Sequence, residues 1–273
     1  MKTERPTVAI VGLGQIGGSF AAALTKRGLA RVIGITRRPA TAKRALEMGI
    51  LEEAGTDLDE IGAAEVVVLA TPVRTLLRQI PEVAPRVRRG AILTDVGSTK
   101  TEILEALRGA KSPATVVAGH PMAGNERAGL DGCDAKVFEN RPWVLIGDRR
   151  KAGLLERLVA GVGARPVWMK SPRDHDLKVA RVSHVPYLLA YALMGTPEDA
   201  IRVCGNSFRD ATRVAASDAD MVLDFLLTNA GPIRRSGREL KARLDALLDR
   251  IDRGDSSGLR KILLRARERR SKM

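Results

Sequence analysis

Val8-Ala9-Ile10-Val11-Gly12-Leu13-Gly14-Gln15-Ile16-Gly17-Gly18 is an apolar run, rich in β-branched residues, that gives way to three glycines spaced Gly-x-Gly-x-x-Gly. From Gln15 to Arg27 the pattern turns helical. Strand, tight turn and helix are predicted, and each glycine has a mechanical task in them. Gly12 makes the turn, Gly14 admits a pyrophosphate close to the backbone, and Gly17 lets the helix lie against the strand. Free N–H groups and the helix dipole favour an anion at the helix start. Gly12, Gly14, Gln15, Ile16 and Gly17 are therefore candidate cofactor-binding residues. A tight βα turn without a ligand is the plainer alternative.

The second strand is predicted at Arg31–Ile35, ending in Thr36-Arg37-Arg38-Pro39. An NAD site usually places Asp or Glu here for the ribose 2′-hydroxyl, whereas an arginine accommodates a 2′-phosphate. No carboxylate lies between Leu24 and Ala45. The hydroxyl of Thr36 and the guanidinium groups of Arg37 and Arg38 suit phosphate, so NADP is favoured over NAD. Two exposed arginines opening a loop would look the same.

Alternation continues outward from this unit. A buried strand is predicted at residues 65–70, closed by Thr71-Pro72, which are candidate cofactor contacts at the sheet's carboxyl edge. A helix at Val73–Val83 follows, then a strand at 91–95, the turn Val96-Gly97-Ser98-Thr99-Lys100 and a helix at 99–107. A strand at 115–118 leads to a loop, Gly119-His120-Pro121-Met122-Ala123-Gly124. Strands at 143–146 and 165–169 flank a helix at about 150–162. Strands alternating with helices imply a mainly parallel, Rossmann-type sheet over residues 1–170. Its ligands gather at the strands' carboxyl ends, where Gly12, Thr36, Thr71, Ser98 and His120 should converge.

Residues 171–273 carry no convincing strand and read as an all-helical domain for substrate binding and dimerisation. A helix at 174–194 puts Val182, Val185 and Leu189 on one face, with Pro186 as a kink. Pro197 starts another helix. Leu240, Leu244, Leu247, Leu248 and Ile251 make an apolar stripe, broken at Gly254 and Ser256-Ser257-Gly258 before a basic helix.

Composition narrows the class. The chain has 273 residues, 44% of them hydrophobic, enough for a globular two-domain protein. No apolar run approaches the ~20 residues that span a membrane. Met1-Lys2-Thr3-Glu4-Arg5-Pro6 leads straight into a strand, leaving no room for a signal peptide. Cys133 and Cys204 form neither a disulfide framework nor a metal spacing, which suits a reducing cytoplasm. The formal charge of +14 fits nucleic acid, anionic small molecules or a generally basic background. With aromatics at 3% there is no base-stacking surface, and the arginines of 265–270 read as a solvated helix face, so an anionic substrate and cofactor are the better partners.

The motifs together resemble the prephenate/arogenate dehydrogenase family of tyrosine biosynthesis. They are Val8 to Gly18, Thr94-Asp95-Val96-Gly97-Ser98-Thr99-Lys100, Gly119-His120-Pro121-Met122-Ala123-Gly124-Asn125-Glu126 with Gly129, Asn140-Arg141-Pro142-Trp143-Val144-Leu145, Asp174-His175-Asp176 with Ser183-His184, and Ser207 to Ala215. The Thr-Arg-Arg ending of the second strand is similar to the NADP-dependent, arogenate-using members. Asp218-Ala219-Asp220-Met221-Val222 departs from the family in lacking a proline and a tryptophan. The resemblance implies oxidative decarboxylation of arogenate or prephenate by a homodimer. It makes His120 and Ser98 catalytic, Arg213 the substrate-carboxylate ligand and His184 a second pocket histidine. Asp210 is a candidate partner for a substrate amine.

Beside these roles stand plainer ones. An imidazole titrates near neutrality and suits His120 to accept an alcohol proton, but it can equally bond a carbonyl. Ser98 can cap the helix it precedes. His184 on an apolar helix face reads as a core histidine, and His175 between aspartates as helix-start chemistry. Three histidines and two scattered cysteines supply no metal ligand cluster. A non-enzymatic dinucleotide sensor and a β-hydroxyacid dehydrogenase are the alternatives. The latter normally needs a helix-borne lysine among glycines, which residues 171–230 lack.

Overall fold

Successive residues of the first strand face two different cores. Val8 and Ile10 pack with Phe20, Leu24, Trp143, Leu155 and Val159 on one side of a sheet. Ala9 and Val11 pack with Leu76, Ile80, Ile103 and Leu107 on the other. A strand buried on both faces reads as a continuous apolar run, which is why its sequence shows no alternation. The structure is a computed structural model and describes residues 5–125 and 127–272.

The first part of the chain runs β1 (Thr7–Val11), α1 (Gln15–Lys26), β2 (Arg31–Ile35), α2 (Pro39–Glu47), β3 (Glu53–Gly55), β4 (Val66–Leu69), α3 (Val73–Val83), β5 (Ile92–Asp95), α4 (Thr101–Gly109), β6 (Thr115–Pro121), β7 (Pro142–Gly147), α5 (Gly153–Gly161) and β8 (Arg165–Trp168). The sheet order is β3-β2-β1-β4-β5-β6-β7-β8. All neighbours are parallel except β6 and β7. The chain thus forms a mainly parallel Rossmann-type sheet followed by helices, as expected.

Two local expectations are corrected. Gly119, His120 and Pro121 are not a loop: β6 continues through them because β7 pairs antiparallel alongside, with His120 opposite Val144 and Pro121 opposite Trp143. The helix after Ser98 begins at Thr101, and Ser98 does not cap it. Its first turn is instead met by a carboxylate from the helical part of the chain.

That part runs α6 (Pro172–Val179), a π turn (Ala180–His184), α7 (Val185–Leu193), α8 (Glu198–Ile201), α9 (Asn206–Thr212), α10 (Ala219–Thr228), α11 (Ala230–Asp252) and α12 (Ser256–Ser271). Pro186 has no N–H for the preceding turn, and the wider π turn accommodates it, so the kink expected there becomes a π turn. Val182, Val185 and Leu189 do not share a buried face. Only Val185 is buried, while Val182 is 69% and Leu189 44% exposed. The helical core is small: Ala180, Val222, Phe225 and Ile233, with Tyr187 and Leu226 against them. Leu244, Leu248 and Ile251 of the α11 stripe stay exposed in the single chain.

The helical part docks on the sheet part through carboxylates set at helix starts. Asp176 of α6 accepts from Lys100 N at 2.7 Å and Thr101 N at 2.8 Å at the start of α4. Asp224 of α10 accepts from Arg74 N at 3.1 Å and pairs with the Arg74 guanidinium at the start of α3. First-turn N–H groups have no intrahelical partner, and the helix dipole favours negative charge beside them.

Gly17 and Gly14 should respond oppositely to one added methyl. A Cβ at Gly17 would lie 2.1 Å from Gly12 O, whereas one at Gly14 meets nothing within 4 Å. Gly17→Ala is expected to cost about 3 kcal/mol in urea unfolding, and Gly14→Ala no more than ~1 kcal/mol.

Candidate active site

The glycine turn is shaped by two close approaches. Gly12 has φ of +107° and a Cβ there would sit 2.7 Å from Thr71 Cγ2, so only glycine fits. Its N–H donates to Ile35 O at 2.8 Å, tying the turn to the end of β2. Gly14 precedes α1 with open space on its Cα, and no side chain caps that helix. The first-turn N–H groups of α1, including those of Gln15 and Ile16, are thus left for an anion, and the cradle fits a dinucleotide pyrophosphate. The Gln15 side chain is occupied elsewhere, donating to Asn125 O at 2.9 Å and Arg127 O at 2.6 Å.

Thr36 follows β2, its N–H bonded to Gly55 O at 3.0 Å. Arg37 and Arg38 extend into solvent with no ion-pair partner among the described residues. Thr71 Oγ1 donates to Gln79 Oε1 at 2.7 Å, and exposed Pro72 leads into α3. These groups stand at the carboxyl ends of the adjacent strands β2, β1 and β4.

His120 lies two strands further along, at the end of β6, and is only 8% exposed. Its Nδ1 is 2.9 Å from His175 Nε2, and His175 Nδ1 is 2.8 Å from Asp176 Oδ1. Burial holds the His120 pKa well below the usual histidine range, helped by His175, Lys100 and His184. This departs from the near-neutral titration expected of an unperturbed imidazole. The ring is neutral at pH 7.

Asp95 and Lys100 pair beneath it, both fully buried. Asp95 accepts from Gly97 N at 2.8 Å and Gly119 N at 3.1 Å, and Lys100 Nζ donates to Gly119 O at 2.6 Å. Burial lowers the Lys100 pKa, and the Asp95 charge opposes that. The pair pins the turn that carries Ser98 to the strand end that carries His120. Ser98 is half-buried and makes no hydrogen bond among the described residues.

His184 is buried and stacked on Phe225 at 4.2 Å between ring centroids. Asn229 Nδ2 lies 3.1 Å from His184 Nδ1 and donates to Asp176 O at 2.9 Å. The three histidines thus gather around Asp176. Asp210 on α9 and Arg213 just after it are exposed, on a segment packed against α7. Glu126 of the Gly-His-Pro-Met motif lies outside the described residues.

Sequence reasoning missed His175, Asp176, Asn229 and the Asp95–Lys100 pair as parts of one site. One signal was available: Asp95 closes an apolar strand, where an unpaired carboxylate would be costly. Two open depressions of about 500 and 570 Å³ lie elsewhere, one along Arg234, Arg235 and Arg238, the other beside Val116, Ile146 and Trp168. Hydrogen bonding, not volume, locates the chemistry. Among the described residues no His, Cys, Asp or Glu cluster is arranged to hold a metal ion, and no helix is long and apolar enough to cross a membrane.

Residues 20–167 match the prephenate dehydrogenase nucleotide-binding domain, and residues 171–265 the prephenate dehydrogenase dimerization domain. A prephenate dehydrogenase of Bacillus subtilis is 31% identical over 95% of this chain and 74% of its own length. The crystal structure of Synechocystis arogenate dehydrogenase superposes with a TM-score of 0.84 at 29% identity, over 97% of this chain and 99% of that one. A prephenate dehydrogenase from A. aeolicus, in complex with hydroxyphenyl propionate and NAD+, gives 0.90 at 28% identity, over 100% of this chain and 99% of that one.

Buried His120 and His184, both held below the usual histidine range, make stability depend on acid. Burial brings His184 down to about 4, against the raising effect of Asp176. The unfolded chain takes up this proton near pH 6.5, so the contribution is whole above 6.5 and is lost as pH falls towards 4. Urea midpoints should drop across that window, with His184 alone accounting for about 3 kcal/mol. His184→Gln should flatten part of the slope.

Proposed function

The chain belongs to the prephenate dehydrogenase family, NAD(P)-dependent dehydrogenases of tyrosine biosynthesis, and we propose that it oxidatively decarboxylates arogenate, prephenate or both with NADP. The observation that carries the mechanistic part is His120: buried, neutral, and with one ring nitrogen already engaged by His175. The other nitrogen is left to face a substrate alcohol. Family membership sets aside the sensor reading, and the match over both halves of the chain favours this reaction over a β-hydroxyacid dehydrogenase.

Gly12, Gly14 and Gly17 would hold the cofactor's pyrophosphate with the Gln15 and Ile16 N–H groups. Thr71 and Pro72 would border it, and Thr36, Arg37 and Arg38 would take the 2′-phosphate. When bound, the nicotinamide supplies the hydride acceptor. His120 draws off the alcohol proton as hydride leaves the same carbon. Ser98, on the turn pinned to the same strand end, orients the alcohol. Loss of CO2 then makes the ring aromatic: the electron pair of the broken C–C bond passes through the ring to the new carbonyl oxygen, which takes up a proton as a phenol, and no further base is needed. Arg213 holds a substrate carboxylate through its guanidinium fork, His184 bonds the substrate from the helical side, and Asp210 meets the amine when arogenate is bound.

Residues 1–170 form the nucleotide-binding unit in this reading, and 171–273 the helical unit. Exposed apolar side chains on α7, α10 and α11 support a homodimer joined through the second unit, because one chain leaves them uncovered. A cytoplasmic setting fits both cysteines being free thiols.

Following reduced cofactor with NADP and either arogenate or prephenate tests the assignment. NADP should give the higher kcat/KM. Arg37→Ala and Arg38→Ala should each raise KM for NADP roughly tenfold or more, with little effect on KM for NAD. Equal use of both cofactors by the unmodified protein would overturn the NADP assignment.

His120→Asn should lower kcat by ~10²–10⁴-fold, about 3–5 kcal/mol of barrier, leaving KM for NADP unchanged. Neutral His120 is the active form, so activity should rise with pH through an ionisation below 6.5 and stay level through neutrality. The variant should lack that rise. Near-normal kcat in the variant would pass the role to Ser98 or to a water it holds.

A further inference from the structure

We propose that Asp176 sets the tautomers of both pocket histidines, through His175 for His120 and through Asn229 for His184. The site then presents one imidazole lone pair and one imidazole N–H to the substrate. Asp176 and His175 are positioning residues in this scheme, and it rests on His120 being the group that receives the alcohol proton.

The hydrogen-bond pattern has a single solution once each ring carries one proton. The Asp176 carboxylate accepts from Lys100 N, Thr101 N and His175 Nδ1. Burial pushes its pKa up, but these donors outweigh that and leave it below the usual range, so it has no proton to offer. His175 Nδ1 must therefore donate, and its Nε2 is a lone pair. That lone pair is 2.9 Å from His120 Nδ1. His120 Nδ1 must donate in turn, which leaves Nε2 of His120 as a bare acceptor.

The second branch starts from the same residue's backbone. Asp176 O can only accept, and Asn229 Nδ2 lies 2.9 Å from it, which fixes the orientation of the amide. The remaining amide hydrogen points to His184 Nδ1 at 3.1 Å, so that nitrogen is a lone pair and the ring proton sits on Nε2. Stacking on Phe225, 7° from parallel, holds the ring in plane. His120 is thus set to accept an alcohol proton, and His184 to donate to a substrate oxygen such as a carboxylate or carbonyl. A ring-alcohol carboxylate offers both.

Only three histidines are present, so six ring nitrogens can be resolved by long-range 1H–15N correlation on protein labelled with 15N-histidine. Without substrate at pH 7.5, His120 and His175 should be protonated on Nδ1 and His184 on Nε2. A proton on Nε2 of His120, or a doubly protonated His175, would overturn the proposal. Asn229→Asp replaces the amide donor with an acceptor and should move the His184 proton to Nδ1 while leaving His120 unchanged. An unmoved His184 proton would overturn that branch. His175→Leu should lower kcat by at least ~10²-fold with KM for NADP unchanged, and His175→Gln, which offers an acceptor to His120 Nδ1, should recover most of the loss. Unaltered kcat in His175→Leu would overturn the positioning role. The spectra need no turnover, so the stated tautomers together with normal activity in His120→Asn would sink the base assignment and not the relay.

Discussion

The buried ion pair of Lys100 and Asp95 occupies the point where β5 and β6 separate. Ladder pairing between these strands ends at Thr94 opposite Val117, because β5 itself ends at Asp95, while β6 runs on to Pro121 with only β7 beside it. The backbone groups of Gly119 would be stranded in a dry interior, at roughly 1–3 kcal/mol each. Asp95 takes its N–H and Lys100 its carbonyl. Neither charge would be tolerable alone, and breaking such a pair typically costs about 3–5 kcal/mol. Gly119 has to be glycine here, since a Cβ would lie 2.5 Å from Asp95 O. The position of His120 follows, as does the path of the turn through Ser98 to α4.

The same economy governs how the two halves meet. Asp176 and Asp224 reach from the helical part to the first turns of α4 and α3, where N–H donors need partners. No such carboxylate meets the first turn of α1 among the described residues, and that start stays open beside Gly14. One fold therefore uses its helix starts in two ways, for docking its own carboxylates and for receiving an anion. Because Asp176 docks the halves and also contacts His175, the geometry around His120 exists only when both halves are together.

Charge and apolar surface are distributed unevenly over the helical part. The basic residues of α12 are solvated along its whole length, with none of the helix buried. Leu244, Leu248 and Ile251 of α11 lie on a face that the other described residues leave exposed. Arg234, Arg235 and Arg238 line an open depression nearer the start of the same helix. Coulombic attraction from such a surface favours the arrival of anionic molecules in general and does not choose among them.

Local sequence was sufficient wherever the physics was local. The glycine turn at Gly12 to Gly17 was legible because the positive φ of Gly12 and the contact of Gly17 with Gly12 O are set within the turn itself, and the helix break at Gly254, also at positive φ, was legible for a like reason. The absence of a carboxylate after β2 could be read directly from Thr36 to Arg38. Failures came where a distant segment decided the outcome. His120 is in a strand because β7 pairs beside it, and Ser98 is no cap because Asp176 does that work from 75 residues away in the chain. His175 looked like helix-start chemistry, since nothing near it in sequence shows that β6 ends against its ring. A motif can name the residues of a site, but which nitrogen of a histidine carries the proton is settled by partners that only the folded chain brings within hydrogen-bonding distance.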